Sequence, residues 1–154
     1  MNDSTSGLPK LLIVDDEEEI RTALSRHFRY LGYDTVTASN GREALDILAE
    51  QKVGVIVSDI VMPVMGGVDL LRVVRKEYPM VRVIMITGYV TQEHVLACMR
   101  HDAETCIFKP WPDMSEIEQA VKAAFERIIT WKSKLRTLLQ MKPGAPPPTG
   151  TPSR

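Results

Sequence analysis

The chain has 154 residues, 44% of them hydrophobic and 25% charged, enough for one domain with a full core and some chain to spare. No stretch approaches the roughly 18 apolar residues of a membrane span. The polar start, Met1 to Pro9, lacks the basic-then-apolar order of a secretory signal, so a cytoplasmic protein is expected. The net charge of −1 hides an asymmetry: six basic and no acidic residues follow from Arg127 onward, which leaves 13 basic against 20 acidic residues, or −7, before it. An acidic domain with a basic helical tail argues against direct nucleic-acid binding. Cys98 and Cys106 have no metal-ligand spacing with His94 or His101 and read as reduced, small hydrophobes.

In chain order, residues 1–7 are expected to be disordered, and the first apolar run, Leu11-Leu12-Ile13-Val14, ends in Asp15-Asp16. Glu17 to Leu31 reads as a helix, with Ile20, Leu24, Phe28 and Leu31 at helical spacing and Gly32 as its stop. Glu17-Glu18-Glu19 fits a solvated acidic helix start. Residues 33–38 form a more polar strand suited to a sheet edge, and Ser39 or Asn40 caps a helix to about Glu50. Val53 to Ser58 is a second fully apolar run, ending in Asp59, and Met62 to Gly67 is a loop. A helix from about Val68 to Tyr78 stops before Pro79. The run 81–86 ends in Thr87, a helix follows from Thr91 to Arg100, and the strand 104–108 ends in Lys109. The last helix, about 114–141, carries Ile117, Val121, Ala124, Ile128, Trp131, Leu135 and Leu138 on one face. That stripe is longer than a five-stranded domain can cover, so residues 129–141 form an extension that needs a partner of its own. Pro143 ends it, and residues 142–154 read as a Pro/Gly-rich tail or linker.

Strands separated by 10–15-residue helical patterns imply βαβ units and a parallel sheet covered on both faces. In such sheets ligands bind beyond the carboxyl ends of the strands. Asp15, Asp16, Asp59, Thr87 and Lys109 all fall there. Three carboxylates in one cleft repel each other unless a cation joins them. Mg²⁺ is a hard, oxygen-seeking ion usually held by one or two carboxylates. An aspartate such as Asp59 can attack phosphorus to give an aspartyl phosphate. Catalysis then needs little beyond alignment and charge neutralisation, which Mg²⁺, Lys109 and the Thr87 hydroxyl would supply. Gly66 and Gly67 read as turn geometry, since neither GxxxxGK[ST] nor GxGxxG is present.

The segments Ile13-Val14-Asp15-Asp16-Glu17, Ser58-Asp59-Ile60-Val61-Met62-Pro63, Ile86-Thr87-Gly88 and Phe108-Lys109-Pro110 resemble the receiver domain of bacterial two-component response regulators, chemotaxis-regulator-like, over about residues 8–128. The resemblance implies a flavodoxin-like, doubly wound α/β fold with five parallel strands in the order 2-1-3-4-5 and an extended C-terminal helix. It implies no enzyme beyond self-phosphorylation from a phosphodonor and self-dephosphorylation. Its partner is a sensor histidine kinase or phosphotransfer protein, its phosphoacceptor Asp59, and its metal Mg²⁺ on Asp15, Asp16, Asp59 and the Val61 carbonyl. Thr87 and Lys109 contact the phosphoryl group, and the Lys109–Pro110 bond is expected to be cis. The chain departs from the pattern at Cys106, where a Tyr or Phe switch residue is common. Phe108 lies on the same strand face and would serve with Thr87 as the switch. Asp102 stands where glycine is common, and Tyr89 is placed to shield the site from water and slow dephosphorylation. The helix 91–100, strand 104–108 and last-helix surface, with His94, Val95, Cys98 and Met99, is the expected interface for homodimerisation or output, as is the helical extension. His94 and His101 otherwise read as ordinary surface histidines. Two other functions compete: a magnesium-dependent aspartyl phosphatase, disfavoured by the adjacent rather than spaced Asp15-Asp16, and a phosphorylation-independent binding module.

Overall fold

The structure, a computed structural model, describes residues 9–88, 91–141 and 144. Ten elements alternate: β1 (Lys10–Val14), α1 (Glu18–Tyr30), β2 (Thr35–Ala38), α2 (Gly41–Glu50), β3 (Val53–Asp59), α3 (Gly67–Glu77), β4 (Arg82–Thr87), α4 (Gln92–Arg100), β5 (Thr105–Phe108) and α5 (Ser115–Gln140). The five strands form one parallel sheet in the order β2-β1-β3-β4-β5, the flavodoxin-like arrangement expected. The expectations for residues 1–7, for Tyr89 and for the tail 142–154, Gly144 apart, lie outside the described residues.

Strand alternation divides the core in two. Leu12, Val14, Ile56, Val83 and Met85 face Ala44, Leu48, Leu70, Leu71, Val74 and Cys98 from α2, α3 and α4. Leu11, Ile13, Val55, Val57, Ile84, Ile86 and Ile107 face Leu24 and Phe28 of α1 and Ile117, Val121, Ala124 and Ile128 of α5. At about 1.5–3 kcal/mol for each large side chain removed from water, these two layers are the principal stabilising term. The helix starts follow from their caps. The Asn40 side chain accepts from the Glu43 backbone N–H at 2.9 Å, and Glu43 in turn accepts from the Ser39 N–H at 2.9 Å. Thr91 Oγ1 accepts from the His94 N–H at 3.1 Å.

β5 forms the second sheet edge, with Ile107 buried on the α5 side, Cys106 half-buried on the α4 side and Phe108 48% exposed. Two expectations are corrected. Cys98 is buried at 3% exposure and cannot contribute to a contact surface, whereas Leu96 and Met99 of the same helix are exposed. His94 is half-buried, not a free surface side chain. α5 behaves as its pattern implies. It is buried through Ile128, then continues unbroken with Trp131 58%, Leu135 49% and Leu138 60% exposed.

Candidate functional site

β1 and β3 are adjacent parallel strands, so the residues that leave their carboxyl ends, Asp15 and Asp59, are delivered side by side. β4 lies on the other side of β3 and ends in Thr87, one residue past the Asp59–Ile86 pair. β5 continues the row, with Phe108 opposite Thr87, and the Lys109 N–H donates to the Thr87 carbonyl at 2.8 Å. The cis Lys109–Pro110 bond follows immediately. Asp15 and Thr87 are fully buried and Asp59 is 6% exposed, which is unusual for such polar groups without partners.

The partners are present. Lys109 Nζ donates to Asp15 Oδ2 at 2.9 Å and to Asp59 Oδ2 at 3.1 Å, with Glu17 Oε1 at 3.5 Å. The other oxygens face backbone: Asp15 Oδ1 accepts from the Glu17 N–H at 2.8 Å, and Asp59 Oδ1 from the Ile60 N–H at 2.7 Å. Arg21 Nη1 holds the Asp15 carbonyl at 2.6 Å. Burial pushes the Asp59 carboxyl above its usual range, opposed by the Lys109 ammonium and reinforced by the Asp15 charge. Burial also works against the charge on Lys109, but its bonds to Asp15 and Asp59 outweigh that and raise it.

Asp15, Glu17 and Asp59 each place an oxygen within 4.8 Å of the others. Three carboxylates against the single Lys109 ammonium leave an excess of negative charge that a divalent cation would relieve. The all-oxygen donor set suits Mg²⁺. Glu17 is the residue that sequence reasoning set aside as a solvated helix start. It is exposed and stands at the N-cap position of α1, yet its side chain turns back to the cleft. Its place two residues after Asp15, at the point where the chain turns from strand to helix, was the available signal. Asp16 is exposed and stands outside that carboxylate group. Val61 lies two residues beyond Asp59 in the loop after β3 and is 51% exposed.

The loop glycines have a steric role. A Cβ on Gly67 would stand 2.1 Å from the Asp59 carbonyl oxygen, and one on Gly66 2.8 Å from that of Ile60. The start of α3 is therefore packed against the backbone that carries Asp59, and the Gly67 N–H donates to the Ile60 carbonyl at 2.8 Å. Val64, in the same loop, has φ 70°, a conformation rare for a β-branched residue. Asp102, with φ 60°, occupies the left-handed turn where glycine was noted as common.

A family model described as the response regulator receiver domain matches residues 11–122. Sporulation initiation phosphotransferase F of Bacillus subtilis is 35% identical over 113 residues, covering 73% of this chain and 90% of the relative. Regulatory protein AtoC of Escherichia coli is 33% identical over 135 residues, 88% of this chain but only 29% of the length of AtoC. Among solved structures, the beryllofluoride-activated NtrC4 receiver domain dimer superposes with a TM-score of 0.72 at 32% identity, over 77% of this chain and 98% of that one.

Proposed function

The chain belongs to the response regulator receiver family of two-component signalling, and from that premise we propose that it accepts a phosphoryl group on Asp59 from a sensor histidine kinase or a phosphotransfer protein. Receiver domains are signalling modules rather than turnover enzymes, they bind Mg²⁺ at an acidic pocket, and histidine kinases phosphorylate them. The observation that carries the assignment to this site is the buried Asp59–Lys109–Asp15 arrangement, with Lys109 bridging two strand ends at 2.9 and 3.1 Å.

In this reading Asp15 and Asp59 hold the metal, with Asp16, Glu17 and the Val61 carbonyl as the remaining protein donors. Mg²⁺, when bound, would neutralise charge on the transferring phosphoryl oxygens. The chain's own residues do the rest. Asp59 Oδ2 forms the new bond to phosphorus as the bond to the donor breaks. The Lys109 ammonium shifts from the carboxylate to a phosphoryl oxygen without leaving the cleft. The Thr87 hydroxyl approaches a third oxygen and draws the chain after β4 with it. Because Thr87 is paired with Phe108 across β4 and β5, that movement reaches the α4, β5 and α5 surface. Phe108, nearly half exposed, and the half-buried Cys106 are its nearest reporters. Leu96 and Met99 on α4, or the bare face of the α5 extension, then offer the contact for a second copy or an output partner, in a cytoplasmic setting.

The test is to incubate the chain with Mg²⁺ and a small phosphodonor and follow its intact mass. Wild type should gain one phosphoryl group in a Mg²⁺-dependent reaction and Asp59→Asn none. Equal labelling of the two would place the acceptor elsewhere, and continuous turnover of a phosphate monoester would favour a phosphatase.

A further inference from the structure

One side of the α5 extension forms the wall of a groove. The groove has a volume of about 810 Å³ and runs between α5 and the amino ends of the strands. One wall comes from the chain just ahead of β1, β2 and β3: Pro9, the turn Leu31 to Asp34, and Lys52. The other is a stripe of α5 at helical spacing, with Phe125, Ile129, Lys132, Leu135, Arg136 and Leu139. Its floor is aromatic, where Tyr33 stacks on Phe125 with ring centroids 5.5 Å apart. Leu31, Ile129, Leu135 and Leu139 stand exposed around that floor, and apolar side chains grouped in this way on a surface mark a contact site.

The charge of the groove is one-sided. Lys52, Lys132 and Arg136 line it, and none of the three forms an ion pair among the described residues. Asp34, the acid of the lining, is already held by Lys10 at 2.9 Å. Burial and the neighbouring Lys52 and Arg136 charges hold the Lys132 ammonium below its usual range, so an anion brought here relieves a repulsion already present.

We propose that this groove docks an amphipathic helix of another protein, one with apolar side chains on the face it buries and carboxylates flanking them. The stripe from Phe125 to Leu139 is roughly 21 Å long at the α-helical rise. It therefore matches about four turns of a partner helix, read as anchors at i, i+3, i+4 and i+7. Charge excludes two other occupants. Residues 142–154 of the chain itself carry Lys142 and Arg154 and no acid. A second copy laid into the groove about a two-fold axis sets the basic stripe of α5 against its own counterpart. A second copy is left the Trp131 side of the helix, which lines a separate hollow with Arg75 and Met80. The groove opens at the amino ends of the strands, away from Asp59, so the proposal does not depend on phosphoryl transfer.

The experiment titrates the full chain into a fluorescein-labelled synthetic helix of about 18 residues, with leucine at the anchor positions, glutamate beside them and alanine elsewhere. Two control peptides carry glutamine or lysine in place of glutamate. Anisotropy should show saturable binding of the glutamate peptide, binding of the glutamine peptide weaker by about tenfold, and none of the lysine peptide. Lys132→Glu with Arg136→Glu, checked for unchanged thermal unfolding, should invert that order. With the glutamate peptide bound, acetylation of Lys52 and Lys132 should be suppressed, while Lys134 on the outer side of α5 stays reactive. Failure of the glutamate peptide to bind would overturn the proposal, as would an order of affinity that survives the charge reversal. Protection of Lys134 in place of Lys52 and Lys132 would put the contact elsewhere and overturn it too. So would protection of Lys132 in the free chain that appears only as the chain self-associates, because a second copy would then be the occupant.

Discussion

Charged side chains gather at both ends of β4 and β5, with opposite outcomes. At the amino end, Arg82 pairs with Glu104 and also reaches Asp102 at 3.6 Å; Arg75 meets Asp102 at 3.4 Å and Arg127 meets Glu104 at 3.6 Å. Three arginines there surround two acids, and Arg75 also donates to the Pro79 and Val81 carbonyls. At the carboxyl end the balance reverses, with Asp15, Glu17 and Asp59 sharing one lysine. The first cluster is satisfied internally and clamps α3, β4, β5 and α5 together. The second is short of positive charge, a deficit that the proposed Mg²⁺ would make up. The same residue types thus build a clamp at one end of a strand and, at the other, the acidic cleft for which we propose a cation and a phosphoryl group.

Removing the lysine should have the largest effect, because among the described residues it is the only cation paired with the three carboxylates. Lys109→Met is expected to slow phosphoryl uptake by about 10²–10³-fold, the usual cost of losing one donor to developing charge. Its acid limb should also move to higher pH. Burial already raises Asp59, and the variant removes the ammonium that opposes the rise, so the carboxylate protonates earlier on acidification. Rates measured across mildly acidic to neutral pH check both. At the clamp, Arg82→Ala should lower unfolding stability by about 2 kcal/mol, since it removes the closest partner of the nearly buried Glu104 and leaves it only Arg127 at 3.6 Å. Denaturant titration would show that loss, and Mg²⁺-dependent phosphoryl uptake should be unchanged at temperatures where the variant is folded. An effect on uptake comparable to that of Lys109→Met would erase the distinction between the two ends.

Added Mg²⁺ should stabilise the carboxyl end alone. At about 100 times its dissociation constant the gain is about 2.7 kcal/mol, a few degrees in Tm, reversed by chelation and absent in Asp15→Asn. The smallest effect on stability belongs to the bare face of α5. Leu135→Ser with Leu138→Ser should change unfolding free energy by less than about 0.5 kcal/mol per site, yet abolish any self-association seen by sedimentation. A large loss of monomer stability would mean that these side chains are already packed within the chain.

Much of this was legible because it depends on local pattern. Four strand runs end at Asp15, Asp59, Thr87 and Lys109, and parallel pairing brings those ends into one row, so their convergence was recoverable without coordinates. The caps at Asn40 and Thr91, the stop of α3 before Pro79 and the left-handed Asp102 follow from residue type in the same way. What escaped needed three-dimensional neighbours. Glu17 looked like one of three equivalent helix-start acids until the turn of the chain set it beside Lys109. The clamp joins residues from α3, β4, the turn before β5 and α5, a juxtaposition no spacing reveals. Cys98 appeared available on an amphipathic helix of only nine residues, and its burial depends on how α4 sits over the β5 edge.

The most direct test of the central claim is a crystal structure of the chain grown with Mg²⁺ and beryllofluoride. The account predicts a metal about 2.1 Å from carboxylate oxygens of Asp15 and Asp59, a beryllofluoride on Asp59, and Lys109 turned to a fluorine. A metal bound away from both aspartates, or beryllofluoride on any other side chain, would contradict it.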